Sequence, residues 1–399
     1  MRVALVYRRF NRGGSLERDV VQLAEGLSRR GVDVHCYCNP DDHSIAPDGI
    51  RFHDVRPLRS RSRFGQPIET GSFAAAATKA LRRDRALYDV VDVTGVSAWE
   101  ADVVTVHGVT KAMQRRWPED AGRNFRAARL RAAAAPAIRP QIAVARWVER
   151  IQFRSPHVRA IAVTEEVRRD LVDVHRVAPE RIDVIPPPVE FDLFAAANRA
   201  DVRGELGLSS DTAVLLFVGH DFARKGLAFA IEALSGLPEN VHLVVVGGGP
   251  RGQAETQAHK AGVLARVHFV GRTEHPEHYF AAADVLVLPT LQDPWGITLI
   301  EAMAAGVPVV TTAAAGASAT VRAARAGVVL DDASANGVRG AVEWLLSDSD
   351  RRREVAARGR EAAERLGVEN HVDLVLRVYE RVVSERRPHA VAAATAEAA

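Results

Sequence analysis

The chain has 399 residues, of which 47% are hydrophobic and 26% charged, and its formal net charge is +3. That length exceeds what one core usually holds, so two domains are expected, and the composition is that of a globular protein rather than a disordered or fibrous one. The near-balanced charge gives no global case for nucleic-acid binding. No apolar stretch reaches the roughly 18 residues that span a bilayer, and two cysteines are too few to staple so long a chain.

The opening MRVALVYRRF has a short apolar run and no cleavage-site pattern, so VALVY (3–7) is expected to be a strand and not a signal sequence. Leu16, Val20, Leu23, Ala24 and Leu27 then recur at helical spacing, with Gly31 where a helix stop belongs. VDVHCYC (32–38) follows, with Cys36 and Cys38 two apart and so on one strand face, where a buried reduced pair is expected. DVVDV (89–93), DVVTVH (102–107) and AIAVT (160–164) complete a first strand series. A second comprises AVLLFVG (213–219), VHLVVVGG (241–248), VHFVG (267–271), DVLVLP (284–289), VPVVTT (307–312) and GVVL (327–330). Continuous β-branched runs of this kind read as strands buried on both faces. Helical patterns between them, as at 224–236 and 296–305, point to parallel α/β sheets covered on both sides.

VIPPPVEFDLF (184–194) separates the two series, because three prolines continue neither a helix nor an inner strand. Residues 1–186 and 187–366 are therefore expected to be two α/β domains. An amphipathic helix at 367–387 is expected to return to the first domain, and the alanine-rich tail 388–399 to be disordered.

Several stretches at strand ends carry chemistry. In RRFNRGGSLERD (8–19), Gly13 and Gly14 would let backbone approach an anion at a helix start, although a plain strand-to-helix turn reads the same way. The dinucleotide pattern G-x-G-x-x-G is missing there. FVGHDFARKG (217–226) places Arg224 and Lys225 after Gly219, suited to phosphate at a sheet's carboxyl edge or to a solvated loop. HFVGRTEH (268–275) repeats the pattern with Arg272, and VTVHGV (104–109) sets His107 at a strand end. In QDPWGITLIEAMAAGVPVV (292–310), Asp293 lies in a turn and Glu301 in the following helix. Carboxylates with cations nearby suit a phosphorylated, hydroxyl-rich ligand better than an acid–base pair.

The run DPWGITLIEAMAAGVPVV resembles the hallmark of glycosyltransferase family 4, an acid, seven residues and then Glu, in E-P-F-G-x-x-x-x-E-A-M-A-x-G-x-P-V-V. The likeness covers nearly the whole chain, and GGSLERD with FVGHDFARKGLAFAIEALSGLPE is most similar to the bacterial lipopolysaccharide core glucosyltransferases. The resemblance implies a GT-B fold, two Rossmann-like parallel-sheet domains facing across a cleft, and a retaining enzyme. The donor would be a nucleotide-diphosphate sugar, UDP-sugar first and GDP- or ADP-sugar next. The acceptor would be a glycan, a glycolipid or another small molecule, and neither cofactor, metal nor nucleic acid is implied.

By the same resemblance, Gly13, Gly14 and Gly219 would lie at the donor, with Arg224 and Lys225 on its diphosphate and Arg272 near its base. Asp293 with Pro294, Trp295, Gly296, Ile297 and Thr298 would hold the sugar, Glu301 the ribose, and His107 would sit near the reacting carbon. Glu17 and Asp19 are implied acceptor contacts. Two departures stand out: Asp293 occupies a Glu position, and His220 stands where the family carries Arg, a charge that Arg224 would supply. On the motif alone, Asp293→Glu should preserve turnover. Asp348-Ser349-Asp350 reads as a helix N-cap and not a metal site.

Residues 111–154 carry Lys111, Arg115, Arg116, Arg123, Arg126, Arg129, Arg131, Arg139, Arg146, Arg150 and Arg154 among Trp117, Phe125, Trp147 and Phe153. Such a segment suits either a solvated helix face or peripheral contact with an anionic membrane. A cytoplasmic protein, placed on the inner face of the cell membrane, is the matching expectation. The rival functions are a sugar-nucleotide epimerase of the same architecture, a nicotinamide-dependent dehydrogenase and a two-lobed sugar-binding protein.

Overall fold

The structure, a computed structural model, describes residues 1–41, 47–58, 66–121, 140–197 and 199–397. The chain divides into two units, Met1–Pro188 with Val368–Ala399, and Val189–Gly367. The first break falls two residues later than expected. Prolines 186–188 have no N–H to give, and Val189 is the first residue that can bond, donating to Leu366 O at 3.0 Å.

The first unit is built on strands β1 (Arg2–Val6), β2 (Asp33–Cys38), β3 (Ile50–Asp54), β4 (Val90–Thr94), β5 (Val103–Val106), β6 (Arg159–Ala162) and β7 (Ile182–Val184). They form one sheet in the order β3-β2-β1-β4-β5-β6-β7, with every pair parallel. Helices α1 (Ser15–Arg29), α2 (Gln66–Asp84), α3 (Thr110–Ala121), α4 (residues 140–152) and α5 (Glu165–Asp170) connect them. The second unit has β8 (Ala213–Val218), β9 (Val241–Val246), β10 (Val267–Gly271), β11 (Val285–Leu288), β12 (Val309–Thr312) and β13 (Gly327–Leu330), parallel in the order β10-β9-β8-β11-β12-β13. Its helices are α6 (Phe191–Ala195), α7 (Arg199–Glu205), α8 (Leu227–Leu234), α9 (Arg251–Lys260), α10 (Pro276–Ala282), α11 (Ile297–Ala304), α12 (Ser318–Ala324), α13 (Ala335–Leu346) and α14 (Ser349–Glu364).

The inner strands are the β-branched runs, and residues such as Val3, Val90, Val103, Leu215, Leu286 and Val309 are fully buried. The two strands that the apolar runs did not announce, β3 and β7, are edge strands. Both are only partly buried, so neither needs apolar residues on both faces. Cys36 and Cys38 are both buried thiols on β2.

The last helix, α15, runs Val368–Glu397 and belongs to the first unit. Val372, Val375, Val378, Tyr379 and Val382 pack with Val20, Leu23 and Leu27 of α1. Burial of each such side chain is worth roughly 1.5–3 kcal/mol before the entropy of ordering it. The Tyr379 hydroxyl donates to the buried Asp92 Oδ2 at 2.6 Å. The tail reading is corrected here: helix continues through Pro388 to Glu397. Alanine is the strongest helix former, and elongating an anchored helix avoids the cost of nucleation. Among the described residues no helix is long and apolar enough to cross a membrane.

Candidate active site

Each sheet reverses its strand order once, between β1 and β4 in the first unit and between β8 and β11 in the second. The carboxyl edge of a parallel sheet at such a switch point is where α/β folds bind ligands. The residues singled out from the sequence gather there, in each unit separately.

In the second unit, the loop after β8 carries Arg224 and Lys225 and the loop after β11 carries Asp293. Lys225 Nζ lies 2.5 Å from Asp293 Oδ2, and both side chains are about nine-tenths buried. Arg224 Nη1 donates to Gln292 O at 2.6 Å and sits 3.9 Å from Asp293 Oδ1. The two loops are locked together. Leu291 N donates to Arg224 O at 2.8 Å, and the Thr290 hydroxyl donates to the same carbonyl at 3.1 Å. Gly226 has φ +79°, and a Cβ there would lie 2.0 Å from Pro289 O, so no other residue fits between the loops.

In this structure the Asp293 carboxylate is the counter-ion of Lys225. The shorter acid suits that place: the main chain of Asp293 is held close by bonds to Ala314 O at 3.0 Å and from Gly316 N at 2.9 Å. Arg224 Nε also lies 3.5 Å from Asp221 Oδ2, so this cation has two carboxylates within 4 Å.

Gly296 caps α11 in the left-handed conformation, and the helix begins at Ile297. Thr298 and Glu301 are both buried. Three residues apart on a helix, they share a face, and side chains lean toward the N-terminus, which brings Glu301 toward the turn. The Trp295 indole Nε1 is buried with no hydrogen-bond partner. Arg272 lies across Gly248 in the glycine run that follows β9. His220 Nδ1 accepts from Gly248 N at 3.2 Å. Burial, then the charges of Arg272 and Lys225, hold the His220 pKa below its ordinary value, so this ring is not the cation that the family arginine would be. The run Gly247–Gly249 was read from the sequence only as a strand end.

In the first unit, the loop after β1 leads through Gly13 and Gly14 into α1, and Asn11 Oδ1 accepts from Gly13 N at 2.9 Å. Glu17 folds back over this turn: a Cβ on Gly14 would lie 2.2 Å from Glu17 Oε2. Its carboxylate also lies 3.3 Å from Arg9 Nη1. Glu17 is thus a buried acid at the positive end of a helix. With Asp19 it surrounds Tyr7, whose pKa is raised by burial first and by Glu17 next.

His107 follows β5 and lines a cavity of about 180 Å³ with Tyr7, Thr94, Thr110, Glu149 and His175. Burial, then the nearby His371, push its pKa down to about 4, so the imidazole is neutral at physiological pH. Glu149 accepts from the Thr110 main chain at 3.1 Å and from the Thr110 hydroxyl. His175 Nε2 lies 3.3 Å from the other Glu149 oxygen. Gln152 Nε2 donates to Gly95 O at 2.8 Å and pins the loop after β4. His175 ends a π-turn, Leu171–His175, closed by Arg176 with φ 59°. Such turns often mark functional positions.

Glu149, Gln152 and His175 were missed in the sequence. Glu149 appeared only as a minor acid in a basic segment, and a β5 loop, α4 and a π-turn far apart in the chain bring these groups together. Of that segment, residues 122–139, with Arg123, Phe125, Arg126, Arg129, Arg131 and Arg139, lie outside the described residues, as do the side chains of Arg116 and Trp117. Asp348 caps α14 as expected, accepting from Asp350 N and Arg351 N at 3.0 Å each. Among the described residues, His275, Glu277 and His278 are the one group close enough to share a metal ion.

Comparison with known proteins bears on both units. Residues 13–193 match the family described as Glycosyltransferase Family 4, and residues 198–362 match Glycosyl transferases group 1. A D-inositol 3-phosphate glycosyltransferase of Xylanimonas cellulosilytica is 30% identical over 405 residues, covering 94% of this chain and 93% of its own. A relative of the same name from Mycobacterium marinum is 27% identical, covering 93% and 82%. Among solved structures, WaaG, a glycosyltransferase involved in lipopolysaccharide biosynthesis, is similar with a TM-score of 0.73 at 26% identity over 94% of this chain and 98% of its own. HepE of Anabaena, solved with UDP and glucose, shares the fold with a TM-score of 0.68 at 17% identity over 96% and 100%.

Proposed function

The chain belongs to glycosyltransferase family 4, and on that premise we propose the reaction that this glycosyltransferase of the GT-B fold carries out: transfer of a hexose, with retention, from a nucleoside-diphosphate sugar to an acceptor hydroxyl. A UDP-sugar is the first donor to test. The curated relatives are named for inositol 3-phosphate, which puts a small phosphorylated polyol first among acceptors and an envelope glycan second.

The observation that carries this reading is the Arg224–Lys225–Asp293 group at the switch point of the second sheet. Preorganised cations stabilise the charge that builds on a departing diphosphate. The amides that open α11 and the buried Trp295 N–H supply donors for sugar oxygens, and Glu301 accepts from ribose hydroxyls. As the bond from the anomeric carbon to the diphosphate oxygen breaks, the acceptor oxygen bonds to that carbon on the same face. The hydroxyl proton leaves on the nucleoside diphosphate or to solvent. No side chain is assigned as a covalent nucleophile. Neutral His107 serves as a hydrogen-bond group to a sugar hydroxyl, not as an acid.

The test measures nucleotide release from a panel of UDP-, GDP- and ADP-sugars, with no acceptor, with myo-inositol 3-phosphate and with a cell-lipid extract. Acceptor-dependent release with retained anomeric configuration is expected. No release with any donor and acceptor would count against transfer, and an altered sugar nucleotide without acceptor would favour an epimerase. Peripheral contact of residues 111–154 with an anionic membrane belongs to the same reading, and salt-sensitive co-sedimentation with vesicles checks it.

A further inference from the structure

We propose that Lys111, Arg146, Arg150 and Arg154 form an anion pocket that holds the phosphate of a phosphorylated acceptor, next to the cavity that receives its reacting hydroxyl. This rests on the acceptor reading above and assigns the residues that would select for it.

The four cations line a recess of about 190 Å³ together with Glu149, Phe153, Val174 and His175. Glu149, Phe153 and His175 also line the His107 cavity, so recess and cavity share a wall. Arg146, Arg150 and Arg154 recur every fourth residue, as one stripe along α4 and the turn that ends it. Like charges at that spacing repel each other and weaken a helix.

Several cations elsewhere in this unit are answered by acids. Arg159 meets Glu385 at 2.8 Å and Asp183 at 3.5 Å, Arg85 meets Asp102 at 3.0 Å, and Arg2 meets Asp33 at 2.6 Å. Among the described residues, none of the four recess cations pairs with a carboxylate. The single acid in the lining, Glu149, is turned to Thr110 and His175. Three arginines and a lysine converging without a counter-ion make a region of positive potential, and a phosphomonoester dianion supplies what the acids do not. Its oxygens match the planar forks of arginine two at a time. Exposed Arg150 and Arg154 can move to grip it, while half-buried Lys111 and Arg146 set its position.

The experiment compares the full chain with the double variant Arg146→Gln/Arg150→Gln and with Arg115→Gln, an exposed neighbour on α3 outside the recess. Calorimetry measures binding of inorganic phosphate, myo-inositol 3-phosphate and myo-inositol, with UDP binding as the check that each variant is folded. The expected result is that the double variant binds inositol phosphate about tenfold or more weakly, with myo-inositol and UDP unchanged. Arg115→Gln should behave as the unaltered chain. In transfer assays the same loss should fall on the acceptor KM and not on kcat.

Equal phosphate affinity in the double variant, or an equal loss in Arg115→Gln, overturns the pocket. So does an acceptor KM indifferent to the phosphate, even if sugar transfer itself is efficient. Phosphate binding that depends on Arg146 and Arg150 in a chain that transfers to no acceptor supports the pocket and sinks the acceptor reading instead. A phosphatidylinositol vesicle arm identifies the source. Arginine-dependent binding to vesicles but not to soluble inositol phosphate assigns the phosphate to a lipid headgroup, and the reverse assigns it to a free polyol.

Discussion

The two switch points solve different chemical problems with the same backbone geometry. In the second unit, the edge is charged and its acid and base are spent on each other: Lys225 and Asp293 are buried at 2.5 Å, and Arg224 is held by the Gln292 carbonyl. In the first unit, the cavity holds neutral or satisfied groups: His107 with its pKa near 4, and Glu149 shared by Thr110 and His175. On the proposed reaction, the charged edge takes the departing diphosphate. On the same proposal, the neutral edge orients the acceptor hydroxyl.

The sharpest break of this contrast is Lys225→Ala. It leaves Asp293 buried without its cation, which should cost about 3–5 kcal/mol of stability, and kcat/KM should fall roughly 10²–10³-fold. Urea unfolding and transfer rates measure both. Lys225→Met with Asp293→Leu should recover stability and not activity; recovery of both would make the pair merely structural. Next in size is Asp293→Glu. The motif alone favours tolerance, but the extra methylene has to enter a tight buried pair, so a loss of about 1–3 kcal/mol is expected. Undiminished thermal stability and turnover would restore the motif-based view.

In the first unit, Glu149→Gln keeps the shape and removes the charge that faces His175. A destabilisation of about 1–3 kcal/mol is expected, with KM raised for the acceptor and not for the donor. A donor-side effect instead would erase the distinction between the two edges.

Acidification separates the units more gently. His107 and His371 have their pKa lowered from 6.5 to about 4, chiefly by burial. The unfolded chain therefore binds more protons than the folded one between those values. The stability these two rings contribute is present above pH 6.5 and is lost as pH falls toward 4. Asp92, raised to about 6 by burial, acts oppositely, its contribution being lost as pH rises through 6. The second unit also holds rings lowered by burial, His220, His242 and His268, but none is shifted as far, so amide exchange in β4–β6 should rise before that in β8–β11 between pH 6.5 and 4. Equal protection in both sheets would contradict this. The smallest effect is expected at Asp348→Ala, which removes the α14 cap for about 1 kcal/mol, readable as a shift in thermal midpoint with activity unaltered.

Much of the second unit's site was legible because it is local. Asp293, Gly296 and Glu301 lie within nine residues of one turn and one helix, and a strand-end Arg-Lys pair announces itself by position. What could not be read was that Lys225 and Asp293 neutralise each other, since they belong to loops 68 residues apart that meet only because β8 and β11 are neighbours. The first unit was less legible for the same reason. Glu17 lay in plain view, but its closeness to Gly14 is a property of the folded turn. The edge strands β3 and β7 escaped notice because they are only partly buried and so carry no continuous apolar run.

By itself the sequence determined the two parallel-sheet units, the glycine turns, the helix caps and the family to which the chain belongs. These depend on short-range sterics and on the spacing of apolar side chains, which are properties of neighbours along the chain. Tertiary structure alone decided which charges are spent on one another and which remain outward. It also set the environment that keeps His107 neutral, and the seating of α15 on α1 and Asp92. Those outcomes depend on burial and on distances between residues tens to hundreds of positions apart. The strength of an ionic interaction is set by its local dielectric, and that exists only once the sheets have closed over their cores.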